Sequence, residues 1–447
     1  MQTNFSLAQL ADADIRDADK ILRSCVHCGF CTATCPTYVL LGDELDSPRG
    51  RIYLIKDMLE NDRQPTEQVV KHIDRCLSCL SCMTTCPSGV HYMHLVDTAR
   101  VRIEERYRRP LADRLHRRML TTVLPRPWLF RLALMGAAAA RPARRYLPAR
   151  LRTMLELVPR RLPEPSQVDK PQVFRAEGVR RKRVALLTGC AQQVIDTAIN
   201  EATVRLLTRH GVEVVVARGA GCCGALTHHL GEAEPAHRMA KANIAAWTRE
   251  IEGEGLDAVV INASGCGTTV KDYGYAFRED AAWADKAKRV SELTRDVSEV
   301  MADLGLMAPV IATGQVVAYH AACSMQHGQR IRIQPKALLA AAGFQVRDVP
   351  EGHLCCGSAG TYNLLQPEIA RDLRDRKVRN IESVAPQVIA TGNIGCMTQI
   401  STGTEIPLVH TVELLDWATG GPLPEKLRGW PGFDGEPVPV VPAVAAE

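Results

Sequence analysis

Short apolar runs rich in β-branched residues alternate with longer amphipathic segments in the chain after Arg183. The runs are RVALLTG, VEVVVA, DAVVINAS, QVVAYH, FQVRDV and PQVIATG. Buried parallel strands are apolar along most of their length, and strands that alternate with helical segments form βαβ units. The pattern therefore predicts α/β layers with a mostly parallel sheet in this part of the chain.

A long-period repeat of cysteines runs through the same part of the chain. The cysteines of the first copy are Cys190, Cys222, Cys223 and Cys266, and those of the second copy are Cys323, Cys355, Cys356 and Cys396. In both copies a glycine follows the adjacent pair, and 31 residues separate the pair from the first cysteine. This equal spacing predicts two homologous half-domains that face each other across a pseudo-two-fold axis.

The rest of the chain divides by pattern and composition. Two dense cysteine motifs are joined by SPRGRIYLIKDMLE, whose apolar positions have helical periodicity after Pro48. We therefore expect a helical domain over residues 1–95, an Arg-rich helical connector over 96–182, the two half-domains over 183–310 and 311–420, and a poorly ordered tail rich in Pro, Gly and Val over 421–447.

All 16 cysteines lie in four clusters, and no secretory signal or membrane span is evident from the sequence. The longest apolar stretch, Leu129 to Ala140, is interrupted by Arg131 and is shorter than the roughly 20 residues that cross a bilayer. We expect a cytoplasmic protein. Clustered cysteines in a reducing compartment indicate metal ligation or redox chemistry rather than disulfides.

The two N-terminal motifs share the spacing C-x2-C-x2-C-x3-C-P, which is typical of two-cluster ferredoxins. Three closely spaced thiolates bind one cubane, and the fourth is directed to the other cluster. The predicted ligands of the first [4Fe-4S] cluster are Cys25, Cys28, Cys31 and Cys86, and those of the second are Cys76, Cys79, Cys82 and Cys35. Structural zinc is the alternative, but zinc sites usually take two close cysteines from each of two loops and do not need this three-plus-one arrangement. The expected fold class is α+β multidomain, with a helical two-cluster domain before two α/β repeats.

Each later repeat offers four thiolates as a cofactor-binding site, and a cluster, a zinc ion or a redox-active dithiol would each fit. The nearby histidines are candidate ligands or proton donors, although most such residues only form hydrogen bonds in loops. These histidines are His228, His229, His320, His327 and His353, with His91 and His94 near the second N-terminal motif. The segment from Gly219 to Gly224 also matches the GxGxxG dinucleotide fingerprint, but the second repeat lacks it.

Positive charge is concentrated in the connector. Residues 101–183 contain 22 basic and 7 acidic residues, and the rest of the chain is net acidic. This asymmetry favours docking on an acidic partner subunit or on anionic lipid headgroups, with ordinary solvated helices as the alternative. Nucleic-acid binding is disfavoured, because no recognition motif accompanies the charge.

The segments SCVHCGFCTATCPTY, SPRGRIYLIKDM and RCLSCLSCMTTCPSGV, together with the two CCG repeats, resemble the iron-sulfur subunit of bacterial glycolate oxidase. Similar subunits occur in lactate-utilisation enzymes, anaerobic glycerol-3-phosphate dehydrogenase and heterodisulfide reductase. The resemblance implies that a flavin partner subunit oxidises glycolate to glyoxylate. This chain would then pass the electrons towards a quinone at the inner face of the cytoplasmic membrane, with no catalytic residue of its own.

Other functions stay open at this point. The partner can instead oxidise D-lactate, L-lactate or glycerol 3-phosphate, or the CCG site can act directly as a thiol or disulfide reductase. A zinc-stabilised assembly or regulatory protein is a third class. In heterodisulfide reductase-like relatives each repeat ends in a C-x2-C pair, whereas Ala263 and Asn393 stand at the first position of that pair here.

Overall fold

The computed structural model describes residues 1–146, 149–159, 161–311 and 313–433. The N-terminal part is helical and is built around the two ferredoxin-type motifs. Its helices are α1 (Leu7–Leu10), α2 (Ala13–Ser24), α3 (Pro36–Leu41), α4 (Pro48–Glu60), α5 (Glu67–Asp74), α6 (Ser81–Thr85) and α7 (Tyr92–Arg106). Helix α7 packs against α2, α4 and α5 and buries Leu95, Ala99 and Ile103, so the helical domain extends beyond residue 95.

Helix α4 shows how the sequence sets the local structure between the two motifs. Ser47 caps the helix by accepting a hydrogen bond from the Gly50 backbone N–H, and Pro48 occupies the first turn. A Cβ at Gly50 would lie 2.0 Å from the Glu44 carbonyl oxygen. Glycine is therefore required where the α4 backbone passes the preceding loop.

The connector consists of helices α8 (Leu111–Val123), α9 (Pro127–Ala139) and α10 (Ala149–Glu156). It is followed by strand β1 (Gln172–Phe174), which pairs antiparallel with the edge of the first sheet. This short edge strand lies before residue 183, so the first half-domain begins earlier than the apolar runs predict. Among the described residues, no helix has both the length and the apolar character needed to cross a bilayer.

The first half-domain is a layered α/β unit. Its elements are β2 (Lys182–Leu187), α11 (Gln192–Ile195), α12 (Ala198–Arg209), β3 (Val212–Val216), α13 (Ala225–His228), α14 (Ala233–Glu252), β4 (Ala258–Ile261), α15 (Ser264–Lys271), α16 (Tyr273–Ala276), α17 (Ala284–Leu293), β5 (Thr294–Asp296) and α18 (Val297–Leu304). Strands β2 to β5 are parallel in the order β3-β2-β4-β5, with Leu187 opposite Ile261.

The second half-domain repeats this topology. Its elements are β6 (Val316–Tyr319), a π-helical turn (Ser324–Gly328), α19 (Gln334–Ala341), β7 (Gln345–Asp348), α20 (Tyr362–Leu365), α21 (Pro367–Glu382), β8 (Val388–Thr391), α22 (Ile394–Ile400), β9 (Leu408–His410) and α23 (Thr411–Ala418). The four strands are parallel in the order β7-β6-β8-β9. The α+β multidomain prediction with two α/β repeats is therefore confirmed.

The two half-domains share one apolar core. Helix α12 packs against α23, and α18 packs against α19, which are the reciprocal contacts expected of a pseudo-two-fold axis. Buried side chains from both sheets, including Leu186 and Val317, belong to the same cluster. The cysteines lie at the carboxyl ends of the parallel strands. Ligand sites in open α/β sheets usually lie at this edge.

The prediction of a poorly ordered tail is wrong for residues 421–433. Leu427 and Phe433 are buried in the core of the second half-domain, and Trp430 donates a hydrogen bond from its indole N–H to the Gln387 carbonyl oxygen at 2.8 Å. Lys426 also pairs with Asp196 of the first half-domain at 2.5 Å. Apolar side chains among the prolines and glycines anchor this segment. Residues 434–447 lie outside the described part of the chain.

Candidate metal centres

The first N-terminal motif forms one small cavity together with the last cysteine of the second motif. Cys25, Cys28, Cys31 and Cys86 all line this cavity. Gly29 adopts a left-handed conformation (φ 84°), and a Cβ there would lie 2.7 Å from the Arg49 Nη1 atom. The glycine therefore lets the loop curl so that three cysteines face one point.

The second motif forms a neighbouring cavity with the last cysteine of the first motif. Cys35, Cys76, Cys79 and Cys82 line it. Between these cysteines, Ser78 and Leu80 have positive φ values of 48° and 62°, which non-glycine residues seldom adopt. Such backbone strain is typical of functional sites, and here it turns alternate residues so that the cysteines converge.

The structure thus brings together the two groups of four cysteines that the motif spacing predicts. Cys82, Pro48 and Tyr92 line both cavities, so the two cavities adjoin. Thiolates in this three-plus-one arrangement are the donor set of [4Fe-4S] clusters, and the residues present fit such groups. Burial raises the pKa of the Cys31 thiol to about 11 and that of the Cys82 thiol well above its usual value, so a bound metal is needed to hold the thiolate forms.

Polar groups contact the sulfur atoms of the second cavity. Arg51, on α4, lies 3.8 Å from the Cys35 Sγ through its Nη1 atom, and the Tyr92 hydroxyl lies 3.7 Å from the Cys76 Sγ. Arg51 is fully buried and its Nη2 atom pairs with Asp46 at 3.4 Å. Hydrogen bonds to ligand sulfurs raise cluster potentials, and sequence reasoning missed both residues because they contact the cysteines only in the fold.

The eight cysteines of the repeats line a single, larger cavity of about 330 Å³ between the two half-domains. The sulfur atoms of Cys323 and Cys355 are 3.8 Å apart. Gly224 and Gly357 have φ values near +90°. A Cβ on Gly224 would lie 2.9 Å from a carbonyl oxygen of α14, and one on Gly357 would lie 2.4 Å from a carbonyl oxygen of α21. These glycines therefore allow each cysteine pair to sit against its helix.

The two repeat sites differ behind their sulfur atoms. In the second half-domain, His320 and Lys377 are each only 2% exposed and lie beside the cysteines, with His320 close to Cys356 and Cys396. Burial lowers the pKa of both side chains, whereas the nearby thiols raise it. In the first half-domain, Leu187 stands at the position of His320, three residues before the first cysteine of the repeat.

The remaining candidate histidines lie where the domains meet. His228 and His229 point their Nδ1 atoms towards Asp97 at 3.9 Å and 3.8 Å. Burial raises the pKa of Asp97, but the contacts with these two rings and with Arg100 outweigh it and hold the pKa below its usual value. His94 contacts Asp272 through its Nε2 atom at 3.0 Å, and its ring contacts that of His91.

His327 links the second half-domain to the N-terminal domain. Its Nδ1 atom lies 2.7 Å from the Thr84 hydroxyl, and its Nε2 atom lies 3.1 Å from the His353 carbonyl oxygen. Of the seven candidate histidines, only His320 lies in a three-residue group of potential metal ligands that contains cysteines, as judged over the described residues.

The glycine fingerprint between Gly219 and Gly224 does not have the context of a dinucleotide site. The helix that follows Gly224 has only four residues, Ala225–His228, and the cysteines within the fingerprint face the cavity between the half-domains. The fingerprint requires a helix long enough to place its N-terminus at a pyrophosphate. In this chain the glycines instead shape the cysteine loop.

The N-terminal sites lie next to the second half-domain. Leu77 and Cys79 belong to the same buried apolar cluster as Cys355, and Cys323 packs against that cluster. The Tyr362 hydroxyl also donates a hydrogen bond to the Arg75 carbonyl oxygen at 3.1 Å. The second N-terminal cavity and the second repeat site are therefore in direct contact.

Comparisons with known proteins agree with this arrangement. The family model for a 4Fe-4S dicluster domain matches residues 21–90, and the model for a cysteine-rich domain matches residues 184–271 and 317–401. A crystal structure of a hypothetical protein from Helicobacter pylori covers 93% of this chain and 74% of its own, with a TM-score of 0.50 and 9% identity, which indicates a similar fold.

Three curated relatives are similar in sequence. The glycolate oxidase iron-sulfur subunit of Escherichia coli (strain K12) is 44% identical over 418 residues, which are 94% of this chain and 99% of the relative. The probable glycolate oxidase iron-sulfur subunit of Bacillus subtilis (strain 168) is 32% identical and covers 89% of this chain and 94% of its own. Lactate utilization protein A of the same organism is 28% identical over 52% of this chain and 99% of its own length. The chain therefore belongs to the family of glycolate oxidase iron-sulfur subunits.

Proposed function

We propose that this chain is the electron-transfer subunit of a complex that oxidises glycolate to glyoxylate on a separate flavin subunit. The observation that carries the proposal is the pair of adjoining four-cysteine cavities. The first [4Fe-4S] cluster is held by Cys25, Cys28, Cys31 and Cys86, and the second by Cys76, Cys79, Cys82 and Cys35. Such clusters supply one-electron transfer, which divides the two-electron chemistry of a flavin into single steps.

The order of the sites along the molecule supports a direction for the electrons. Cys28, at the first cavity, is exposed, and the exposed side chains of Val26 and Phe30 line the same cavity. The exposed Tyr53 ring packs against His27, which also lines it. An apolar surface beside an exposed ligand fits the docking of the flavin subunit. The second cavity is buried and contacts the second repeat site, so electrons pass inward to the cysteines of the repeats, which hold a further iron-sulfur group.

The connector supports peripheral contact with a membrane on its cytoplasmic side. Between residues 114 and 155 the sequence has ten arginines and no acidic residue. Arg114, Arg118 and Arg126 are exposed, and none has an acidic partner among the described residues. Trp128, Leu132 and Met135 form an exposed apolar stripe along α9. A basic surface with exposed Trp and Leu is typical of helices that lie in a lipid interface.

The experiment that tests the proposal is anaerobic purification of this chain with its co-eluting subunits. We expect at least about eight irons per chain, with matching sulfide. We also expect a flavin-containing companion and reduction of the clusters by glycolate. D-lactate and glycerol 3-phosphate serve as comparison substrates. Turnover of glycerol 3-phosphate alone would reject the substrate, and zinc without iron would reject electron transfer.

A further inference from the structure

The cavity between the half-domains has two chemically different walls. One wall carries the eight cysteines of the repeats, and the other is formed by helices α8 to α10 and the residues that follow. The side chains on this second wall are apolar: Met119, Val123, Phe130, Leu134, Met154 and Leu157. None of these groups is a usual ligand of iron or zinc in such sites. The metal centres therefore account for only one wall of the cavity.

A group held by the cysteines would take up part of the cavity of about 330 Å³. The rest of its lining is mostly apolar with a few polar groups, which is the character of a small-molecule site. The polar side chains on its lining include Ser78, Ser358, Asn363 and Asn393. These groups can form hydrogen bonds to carbonyl oxygens of a bound ring, while the apolar wall contacts its carbon skeleton. Because the opposite wall carries redox-active cysteines, the ligand that fits best is an apolar molecule that accepts electrons.

The position of the apolar wall suggests where the ligand comes from. Phe130 and Leu134 on α9 face the cavity, whereas Trp128, Leu132 and Met135 on the same helix are exposed. Helix α9 is thus apolar both towards the cavity and towards the outside. A molecule dissolved in a lipid layer beneath the connector would meet apolar side chains on both sides of this helix.

We propose that this cavity binds the ring of a lipophilic quinone, the acceptor to which the complex delivers its electrons. The inference rests on the proposed function and adds the site of the acceptor to it. Oxidation of the hydroxy acid releases two electrons and two protons on the partner subunit. The electrons arrive one at a time through the cysteine-bound centres, and the two quinone carbonyls take them up with two protons to become hydroxyl groups.

The protons can come from water through His229. This side chain lines the cavity and is 34% exposed, and its Nδ1 atom lies 3.8 Å from the buried Asp97. His229 therefore joins the cavity to solvent beside a carboxylate, which is a position from which an imidazole can pass protons. Its role is to supply protons, and the electrons follow the cysteines.

The test fills the cavity and compares two acceptors in the purified complex. Ala137 lines the cavity on α9, so Ala137→Trp places a ring in the quinone site. With glycolate as donor, we expect the KM for a short-chain soluble ubiquinone to rise about tenfold or more, which corresponds to about 1.4 kcal/mol of lost binding. Reduction of a water-soluble dye, the iron content and the cluster spectra are expected to stay at parent values.

Two further variants keep the test decisive. Ala112→Trp makes the same substitution at an exposed position of α8 and is expected to change neither activity. Leu134→Trp, which also fills the cavity, replaces Ala137→Trp if that variant does not assemble. An azido-quinone should label the apolar wall in the parent complex and not in the filled variant. Unchanged quinone kinetics with unchanged labelling would overturn the proposal, whereas loss of dye reduction in the parent complex would instead reject the proposed function.

Discussion

Lys377 in the second half-domain and Asn243 in the first occupy the same position, although one is a cation and the other is neutral. Asn243 lies seven residues after Ala236, and Lys377 lies seven residues after Ala370. The two alanines correspond, because the carbonyl oxygen of each lies next to the glycine of its CCG motif. Asn243 hydrogen bonds the Cys222 carbonyl oxygen at 3.0 Å, whereas the Lys377 Nζ donates to the Glu351 carbonyl oxygen at 2.9 Å. The two repeat sites therefore have similar sulfur arrangements and different charges behind them.

This difference predicts a higher reduction potential at the second repeat site. The buried Lys377 ammonium has no ion-pair partner within 4 Å in the part of the chain that the structure describes, and its charge stabilises the extra negative charge of a reduced metal centre. Lys377→Asn, which copies the first half-domain, is expected to lower the potential of one centre by about 60 mV, a tenfold change in a one-electron equilibrium. Redox titration followed by paramagnetic resonance measures the shift. Lys336→Asn removes an exposed lysine of the same half-domain and should leave all potentials unchanged.

A second prediction concerns Arg51. Its Nε atom donates to the His72 carbonyl oxygen at 2.7 Å, and its guanidinium lies between the buried Asp46 and the Cys35 sulfur. Arg51→Met removes the buried cation that contacts both Asp46 and the Cys35 sulfur, although Arg75 still pairs with Asp46 at 2.8 Å. Removal of one partner of a buried ion pair costs up to about 3 kcal/mol. We expect lower thermal stability and loss of the spectrum of one cluster, while the other stays.

The matched control for Arg51 is an arginine at the surface. Arg63 pairs with Asp57 at 3.0 Å, and both side chains are at least half exposed. Exposed ion pairs contribute little to stability, so Arg63→Met should keep the parent iron content and melting temperature. Equal loss of both clusters in Arg51→Met would contradict a specific role at Cys35 and would indicate general unfolding.

The sequence patterns located six of the nine strands of the described chain. RVALLTG corresponds to β2, a buried central strand with a continuous apolar signal. FQVRDV corresponds to β7, an edge strand that is mostly exposed and whose signal is the alternation of apolar and polar residues. The remaining strands are β1, β5 and β9, each of three residues. Strands this short at or near a sheet edge contain too few residues to show a period. Their position follows from pairing with a neighbour that lies far away in sequence.

Some features of the candidate sites can likewise be predicted from the sequence, whereas others are visible only in the fold. Cysteine spacing predicts which thiols converge at the N-terminal sites, since the covalent geometry of the loop brings three of them to one point. Cysteine spacing does not predict that Lys377 lies next to Cys356, because these two residues come together only in the folded structure. Nor does it predict that connector helices close the cavity between the repeats. In the sequence, the many arginines of these helices obscure the apolar pattern of the side that faces the cavity.

A third prediction concerns pH and Glu413. Burial and the charge of Asp196 raise the pKa of this carboxyl from 4.5 to about 7. The folded protein therefore keeps a proton at Glu413 that the unfolded chain releases at lower pH, so stability falls as the pH rises from about 4.5 to about 7. Glu413→Gln removes this loss, and its amide oxygen can still accept the hydrogen bond from the His410 backbone N–H. We expect the variant to be more stable than the parent above about pH 7, on the order of 3 kcal/mol and with a higher melting temperature, and to differ little only below about pH 4.5.

The control for Glu413 is the matching capping residue in the first half-domain. Glu299 pairs with Lys271 at 2.7 Å, so Glu299→Gln removes a favourable contact. We expect its melting temperature to be equal to or lower than that of the parent at every pH. A Glu413→Gln variant that loses stability equally at low and high pH would show that the hydrogen bond, and not the ionisation, controls this position.

The last prediction concerns the exposed stripe of α9. Trp128→Ala combined with Leu132→Ala is expected to weaken binding to anionic lipid vesicles at least about tenfold, because burying each side chain in a lipid interface contributes about 1.5 kcal/mol or more. Vesicle co-sedimentation measures this binding, and added salt should weaken it in the parent protein, since exposed arginines provide the attraction. Ile333→Ala removes an exposed apolar side chain of the second half-domain, outside the connector, and should have no effect. Binding that is independent of both the lipid charge and the stripe would show that the connector instead faces an acidic partner subunit.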